Sequence, residues 1–235
     1  MSWKCCPHGP ITPVVDGVWQ VQGTLPGGNP LPRTMVIWRL PRGGLCVHSA
    51  VNLSEEGMSE LEALGTPEIL LVPNRFHRMD AAAWKARYPQ IQVIAPKAAR
   101  RFVDSVVPTE ADCETVLPPL GVQAIHAGGL KPLECIYKVG PDSGYALIFT
   151  DTLFNVREHL PGFSGFVMRY LTGSTGFFGL TRLARLFGLA SAADYKAWLG
   201  EQKQAALAAI VVAHGPPIQG NSACMAALNE AIERL

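Results

Sequence analysis

Four stretches of this 235-residue chain place a polar, chemistry-bearing side chain directly after an apolar run. Val47 leads into His48-Ser49, and Leu70-Leu71-Val72-Pro73 leads into Asn74-Arg75-Phe76-His77-Arg78-Met79-Asp80. Ala146-Leu147-Ile148-Phe149-Thr150 runs into Asp151, and Ile210-Val211-Val212-Ala213 into His214-Gly215-Pro216-Pro217. In open α/β sheets, sites gather outside the carboxyl ends of strands. An imidazole and a carboxylate presented on such turns are ligand types for zinc, iron or manganese. Each also has a purely structural use. Asp151 can close an Asx-turn on Thr152-Leu153, and His214 can simply bond a turn carbonyl.

The elements that must position these groups follow from periodicity and punctuation. Residues 14–21, 34–40 and 45–48 read as strands, with a hairpin turn at Pro41-Arg42-Gly43-Gly44. A helix follows, N-capped by Ser54, with Glu55 and Glu56 in its first turn, a Leu53/Met58 staple and a stop at Gly65. Residues 68–72 form a strand, Asp80 caps a helix that ends before Pro89, and residues 91–94 form the next strand. Residues 97–104 read as a basic helix, and 122–126, 133–139 and 145–150 as strands. The chain closes with a helix over 192–208, a strand over 209–213 and a helix over 222–234. This order fits neither a pure β pattern nor strict βαβ alternation. It fits two facing mixed sheets with helices on both outer faces, in one domain.

Composition narrows the function. With 20 Lys+Arg against 19 Asp+Glu and a net charge of +1, the chain has no electrostatic footprint for nucleic acid. No segment approaches the roughly 18 apolar residues of a membrane span, and residues 1–10 contain no apolar signal core. The six cysteines are scattered, without a C-x-x-C pair, so the expectation is reduced thiols in the cytoplasm. Cys5, Cys6 and His8 read as a frayed terminus rather than a metal site. Adjacent strand residues point to opposite faces, which argues against a Ser/His/Asp triad built on His48-Ser49. Gly27-Gly28 and Gly128-Gly129 lack phosphate-loop spacing.

The ordered set of landmarks resembles the metallo-β-lactamase-like superfamily, and most closely a poorly characterised branch of it. The matching stretches are Asp16-Gly17-Val18-Trp19, Val47-His48-Ser49-Ala50-Val51, and Pro73-Asn74 with His77. Trp84 with Tyr88-Pro89, Val93-Ile94-Ala95-Pro96, Thr150-Asp151-Thr152-Leu153-Phe154-Asn155 and Ala213-His214-Gly215 continue the series over nearly the whole chain. The resemblance implies a four-layer αββα sandwich over residues 1–235, with a metal site at one edge of the paired sheets. It also exposes a departure. The superfamily's His-x-His-x-Asp-His positions here hold Asn74, Phe76, Arg78 and Met79, and no His occupies residues 128–132, where the next ligand belongs. His126 and Glu134 flank that gap. What remains is Asp151 and His214 as catalytic candidates and His77, Asp151 and His214 as metal ligands, with His126 or His48 in reserve.

Two imidazoles and a carboxylate with open positions suit at most one divalent metal, zinc first, iron or manganese next. The expectation is a metal-dependent hydrolase acting on a small-molecule ester, thioester or lactone. The alternative is a non-catalytic member, without a metal, that binds a small molecule or partner on the same scaffold. Residues 160–189 stand apart, rich in Phe, Leu and Gly and carrying Arg169, Arg182 and Arg185. They read as part of an insertion at about 157–190, with a short amphipathic turn at Leu180, Leu183, Leu186 and Phe187. That segment is a candidate lid or homodimer contact, and Arg157 and Arg169 are candidates for holding an anionic substrate group.

Overall fold

The computed structural model describes residues 3–25, 29 and 31–235; Gly27-Gly28 lies outside them. Its first sheet has seven strands in sequence order: β1 (Thr12–Val15), β2 (Val18–Thr24), β3 (Pro32–Arg39), β4 (Leu45–His48), β5 (Pro67–Leu71), β6 (Gln92–Ala95) and β7 (Ala111–Asp112). β1 to β4 are antiparallel neighbours, whereas β4 to β7 are parallel. Parallel pairs need crossovers. Those from β4 to β6 run through α1 (Glu55–Leu64) and α2 (Ala81–Arg87), and that from β6 to β7 through the single turn α3 (Arg100–Val103). After α4 (Cys113–Val116) the chain builds β8 (Gln123–Ile125), β9 (Ile136–Val139) and β10 (Tyr145–Phe149). A small ribbon pairs β11 (Phe154–Val156) with β12 (Phe177–Gly179) around α5 (Gly162–Val167). Then follow α6 (Arg182–Gly188), α7 (Ala192–Glu201), β13 (Leu207–Val212), β14 (Ile218–Gln219) and α8 (Asn221–Glu233). The second sheet has the order β14-β13-β10-β9-β8, with β10 and β13 parallel.

Strand alternation produces four layers. On β5, Ile69 and Leu71 enter the core between the sheets, while Leu70 and the following Val72 pack with Met58, Leu61 and Trp84 of the outer helices. On β10, Ala146 and Ile148 face the inter-sheet core, while Tyr145, Leu147 and Phe149 meet Tyr195, Leu199 and Leu228 of α7 and α8. Both strands are apolar on both faces because both faces are covered. Three apolar cores between helix, sheet, sheet and helix make the αββα sandwich.

Several local expectations shift. Residues 14–21 are not one strand: Gly17, at φ 69°, makes a tight hairpin with Asp16 between β1 and β2. Ser54 caps α1 as expected, accepting from the Gly57 amide at 3.2 Å. Asp80 does not cap α2, because its carboxylate is drawn to the buried Arg33 guanidinium and the Asn52 amide. The amino-terminal stretch is not frayed. Trp3 Nε1 donates to Leu53 O at 2.9 Å, and the Cys6 amide donates to Asn52 O. Cys6 Sγ takes a hydrogen bond from Arg33, and His8 Nε2 accepts from the Ser54 amide, so this stretch is not a metal cluster either. Among the described residues no helix is long and apolar enough to cross a membrane.

Residues 160–189 fold as short helical turns and one strand. The β11–β12 ribbon, which periodicity missed, ties this stretch down. Phe163, Leu171, Leu186 and Phe187 remain exposed. Arg157 is not free to hold an anion, because it is paired with Glu230 at 2.6 Å.

Candidate functional site

The carboxyl ends of β10 and β13, with the loop after β5, meet at one edge of the sandwich. There Asp151 Oδ1 lies 3.1 Å from His77 Nε2 and 3.1 Å from His214 Nε2, and the two imidazole centroids are 5.4 Å apart. The three donor atoms fall within 4.8 Å of one another. Donors on one tetrahedral zinc sit about 3.3 Å apart for nitrogen and oxygen at their usual bond lengths. Two of the trio's three separations are close to that spacing, and the third is within 4.8 Å.

Each member of the trio is held from behind. His214 follows β13 on a turn that only glycine can make: Gly215 has φ 119°, and a Cβ there would lie 2.0 Å from Asn155 O. Phe154 packs on the His214 ring, with centroids 4.4 Å apart. His214 Nδ1 lies 2.7 Å from Pro32 O, and His77 Nδ1 lies 2.7 Å from Ser49 Oγ. Bonds of this kind fix ring orientation and tautomer in metal sites. Ser49 sits at φ 55°, the one described non-glycine residue with positive φ. That is a costly backbone state for Ser, and it aims the hydroxyl at His77.

A carbonyl oxygen cannot donate, so the proton between His214 and Pro32 belongs to Nδ1. In the neutral ring, Nε2 is then a bare lone pair facing the Asp151 carboxylate. Two acceptors at 3.1 Å repel unless the ring gains a second proton or a cation lies between them. The site thus asks for positive charge where a metal would sit.

Asp151 does not form the Asx-turn. Its second oxygen accepts from Asn74 Nδ2 at 2.7 Å, and the Thr152 amide goes instead to Glu134, at 2.9 Å. Glu134 also takes the Asp151 amide and the Asn74 amide group. Burial, and then the Asp151 charge, push its carboxyl above the usual range. Asp151 is held well below its ordinary value, the charges and hydrogen bonds of His77 and His214 overcoming burial. Burial pulls His77 down, but Asp151 and Glu134 outweigh it and the imidazole is raised.

The remodelled stretch after β5 accounts for the missing motif. Asn74 stands in the first position of the expected motif and bonds Asp151. Its Oδ1 also accepts the Phe76 and His77 amides, at 2.8 and 3.2 Å, and that turn brings His77 inward. Phe76 and Met79 point to solvent, and Arg78 turns away to bond Phe102 O and Ser105. Neither reserve ligand joins the trio. His48 is buried between Trp38 and Tyr137, with Nε2 3.4 Å from Thr150 Oγ1, and burial lowers its pKa to about 3. His126 lies at another cluster, 3.2 Å from Glu114. Ser49 and Glu134 were not singled out by sequence reasoning as members of the site. The one signal for Glu134 was its place beside the gap where a family ligand should fall.

No protein-family model matches the chain, and no curated protein matches it by sequence. Solved structures do match. The metallo-β-lactamase FIM-1 from Pseudomonas aeruginosa, in a mono-zinc form, superposes with a TM-score of 0.61 at 13% identity, covering 98% of this chain and 97% of that one. A metallo-β-lactamase from Erythrobacter litoralis gives 0.62 at 14% identity over 96% of each chain. One from Pontibacter korlensis gives 0.61 at 11% identity, over 96% of this chain and 99% of that one. The chain has the metallo-β-lactamase fold, as its landmarks led one to expect.

Proposed function

We propose that this chain is a metal-dependent hydrolase in which His77, Asp151 and His214 hold one divalent cation, zinc before iron or manganese. Its substrate would be an ester, thioester or lactone of a small molecule. One observation carries the reading: with Nδ1 committed to the Pro32 carbonyl, His214 turns Nε2 to Asp151 Oδ1 at 3.1 Å, a pairing that needs either a second ring proton or a cation held by both atoms. The fold's zinc-bearing neighbour adds support, since three protein ligands with open positions suit a catalytic rather than a structural metal.

A cation held there would supply Lewis acidity and make a water nucleophilic near neutral pH. The protein's own groups do the rest. Ser49 and Pro32 lock the two rings, and Asn74 and Glu134 lock the carboxylate and the turn that carries it. Asp151 is the most accessible of the three, its side chain 25% exposed against 5% for His77 and 7% for His214. It is the member best placed to meet incoming water and orient it by accepting a hydrogen bond.

Metal content is the test. Protein purified without chelator should lose about one equivalent of metal on Asp151→Ala, the stoichiometry of a single site. Metal content unchanged by that substitution ends the reading. A second reading, a non-catalytic binding protein, is favoured by the solvent-facing Phe76 and Met79 in place of ligands. Thermal shifts separate the two: a response to metabolites without one to metals supports binding alone.

Two further parts belong to the proposal. Six free thiols fit a reducing compartment such as the cytoplasm. The exposed Phe163, Leu171 and Leu186 of the 157–190 insertion support a homodimer, which sedimentation would detect.

A further inference from the structure

A second group of donors lies where the two sheets meet at their β7 and β8 edges. Cys113 and Glu114 directly follow β7 of the first sheet, His126 directly follows β8, and Cys135 directly precedes β9 of the second. Cys113 Sγ is 4.0 Å from Cys135 Sγ and 3.5 Å from Glu114 Oε2. Cys135 Sγ is 3.7 Å from Glu114 Oε1 and 3.8 Å from His126 Nε2, and that nitrogen is 3.2 Å from Glu114 Oε1. A tetrahedral zinc bound at the usual lengths spaces two sulfurs about 3.8 Å apart, and sulfur from nitrogen or oxygen about 3.5 Å. Cys113, Glu114 and Cys135 offer donor atoms that all lie within 4.8 Å of one another, and His126 adjoins the Glu114 and Cys135 end of the group.

We propose that Cys113, Glu114 and Cys135 form a binding site for a zinc-like divalent cation, with His126 beside Glu114 and Cys135 as its exposed fourth ligand, that clamps the edges of the two sheets together. Two thiolates favour a soft or borderline ion such as zinc over magnesium or calcium. Binding takes one proton from each thiol to solvent, so affinity rises with pH. A surface cavity of about 480 Å³, lined by Lys97, Asp112, Glu114 and His126, reaches the carboxylate and imidazole of the group. The Lys97 amide donates to both oxygens of Glu114, at 3.1 and 3.2 Å, and fixes the carboxylate beside the sulfurs. The clamp has a consequence for the first site, because Cys135 directly follows Glu134, which holds the Asp151 turn. A donor set rich in sulfur suits a structural metal.

Cobalt(II) added to the reduced, metal-free full chain tests this, because thiolate ligation produces an ultraviolet sulfur-to-cobalt charge-transfer band. His77, Asp151 and His214 carry no sulfur and cannot produce one. The band should appear in the unaltered protein and in Asp151→Ala, weaken in Cys113→Ser and in Cys135→Ser, and vanish when both are replaced. His126→Ala alters an exposed side chain and leaves folding intact; it should keep the band but shift the visible cobalt spectrum as one ligand changes. Absence of the band in the unaltered reduced protein overturns the proposal, as does its loss in Asp151→Ala with retention when both cysteines are replaced. A protein that refuses cobalt because Cys113 and Cys135 form a disulfide stable to reductant overturns it as well.

Discussion

Two clusters of metal-type donors sit on the same pair of sheets, and they are built differently. The His77–Asp151–His214 trio draws on three strand ends far apart in sequence and is backed by Ser49, Pro32, Asn74 and Glu134. Its donors are nitrogen and oxygen, and one of them meets solvent. The Cys113–Glu114–Cys135–His126 group draws on the edges of both sheets, uses sulfur, and has one backbone amide residue, Lys97, behind its carboxylate. The contrast follows a general division: open nitrogen and oxygen sites serve chemistry, whereas closed sulfur-rich sites serve stability. The heavier outer shell of the trio fits a site whose ligands must hold their geometry while one coordination position stays open.

The largest effect that would break this contrast belongs to Asp151→Ala. Hydrolytic turnover should fall by more than the roughly 10–100-fold that outer-shell changes cost, measured on an ester and thioester panel with saturating zinc. Cys113→Ser should leave turnover per folded molecule close to normal; an equal loss in both variants would dissolve the division. Ser49→Ala should then weaken metal affinity at the trio by about 10–100-fold, read by chelator competition, with the cobalt–sulfur band untouched.

Glu134→Gln tests the support under the Asp151 turn. It places an amide against the Asp151 and Thr152 N–H donors, and should lower stability by about 1–3 kcal/mol in urea unfolding. A subtler readout is pH. In chelated protein, raised His77 contributes stability that is full below its ordinary 6.5 and lost as pH climbs through its folded value. Depressed Asp151 contributes stability that is full above its ordinary 3.8 and lost as pH falls through its folded value. The urea midpoint should therefore peak between those limits and decline on both sides, and zinc should remove the alkaline decline. The smallest change should come from His126→Ala in metal-free protein. Its exposed pair with Glu114 is worth less than about 1 kcal/mol, so the melting temperature barely moves unless a cation is present.

Much of the fold was legible because its elements carry local signatures. Ser54 and Gly65 bracket α1, and the apolar runs of β5, β10 and β13 mark buried strands. Asp16-Gly17 carries a turn signature too, inside a stretch that alternation alone reads as one strand. The carboxylate and imidazole at the ends of β10 and β13 were visible as polar groups after apolar runs. What stayed hidden was pairing across distance. Nothing near Glu134 announces that it serves the Asp151 amide, and nothing near Cys113 points to Cys135, 22 residues on. The β11–β12 ribbon was hidden for a related reason: its two short strands are separated by glycine-broken turns and are recognisable only once paired.

The order of residues alone set which faces are apolar, where strands stop and which side chains have ligand chemistry, because those depend on neighbours within a few positions. The packing of the two sheets decided the rest. It sent His126 to the cysteines rather than to Asp151, turned Arg78 outward and His77 inward, and set Ser49 at its strained angle. Those outcomes depend on distances between strand ends that no local pattern encodes, since burial of two apolar faces against each other fixes them only after the layers have closed.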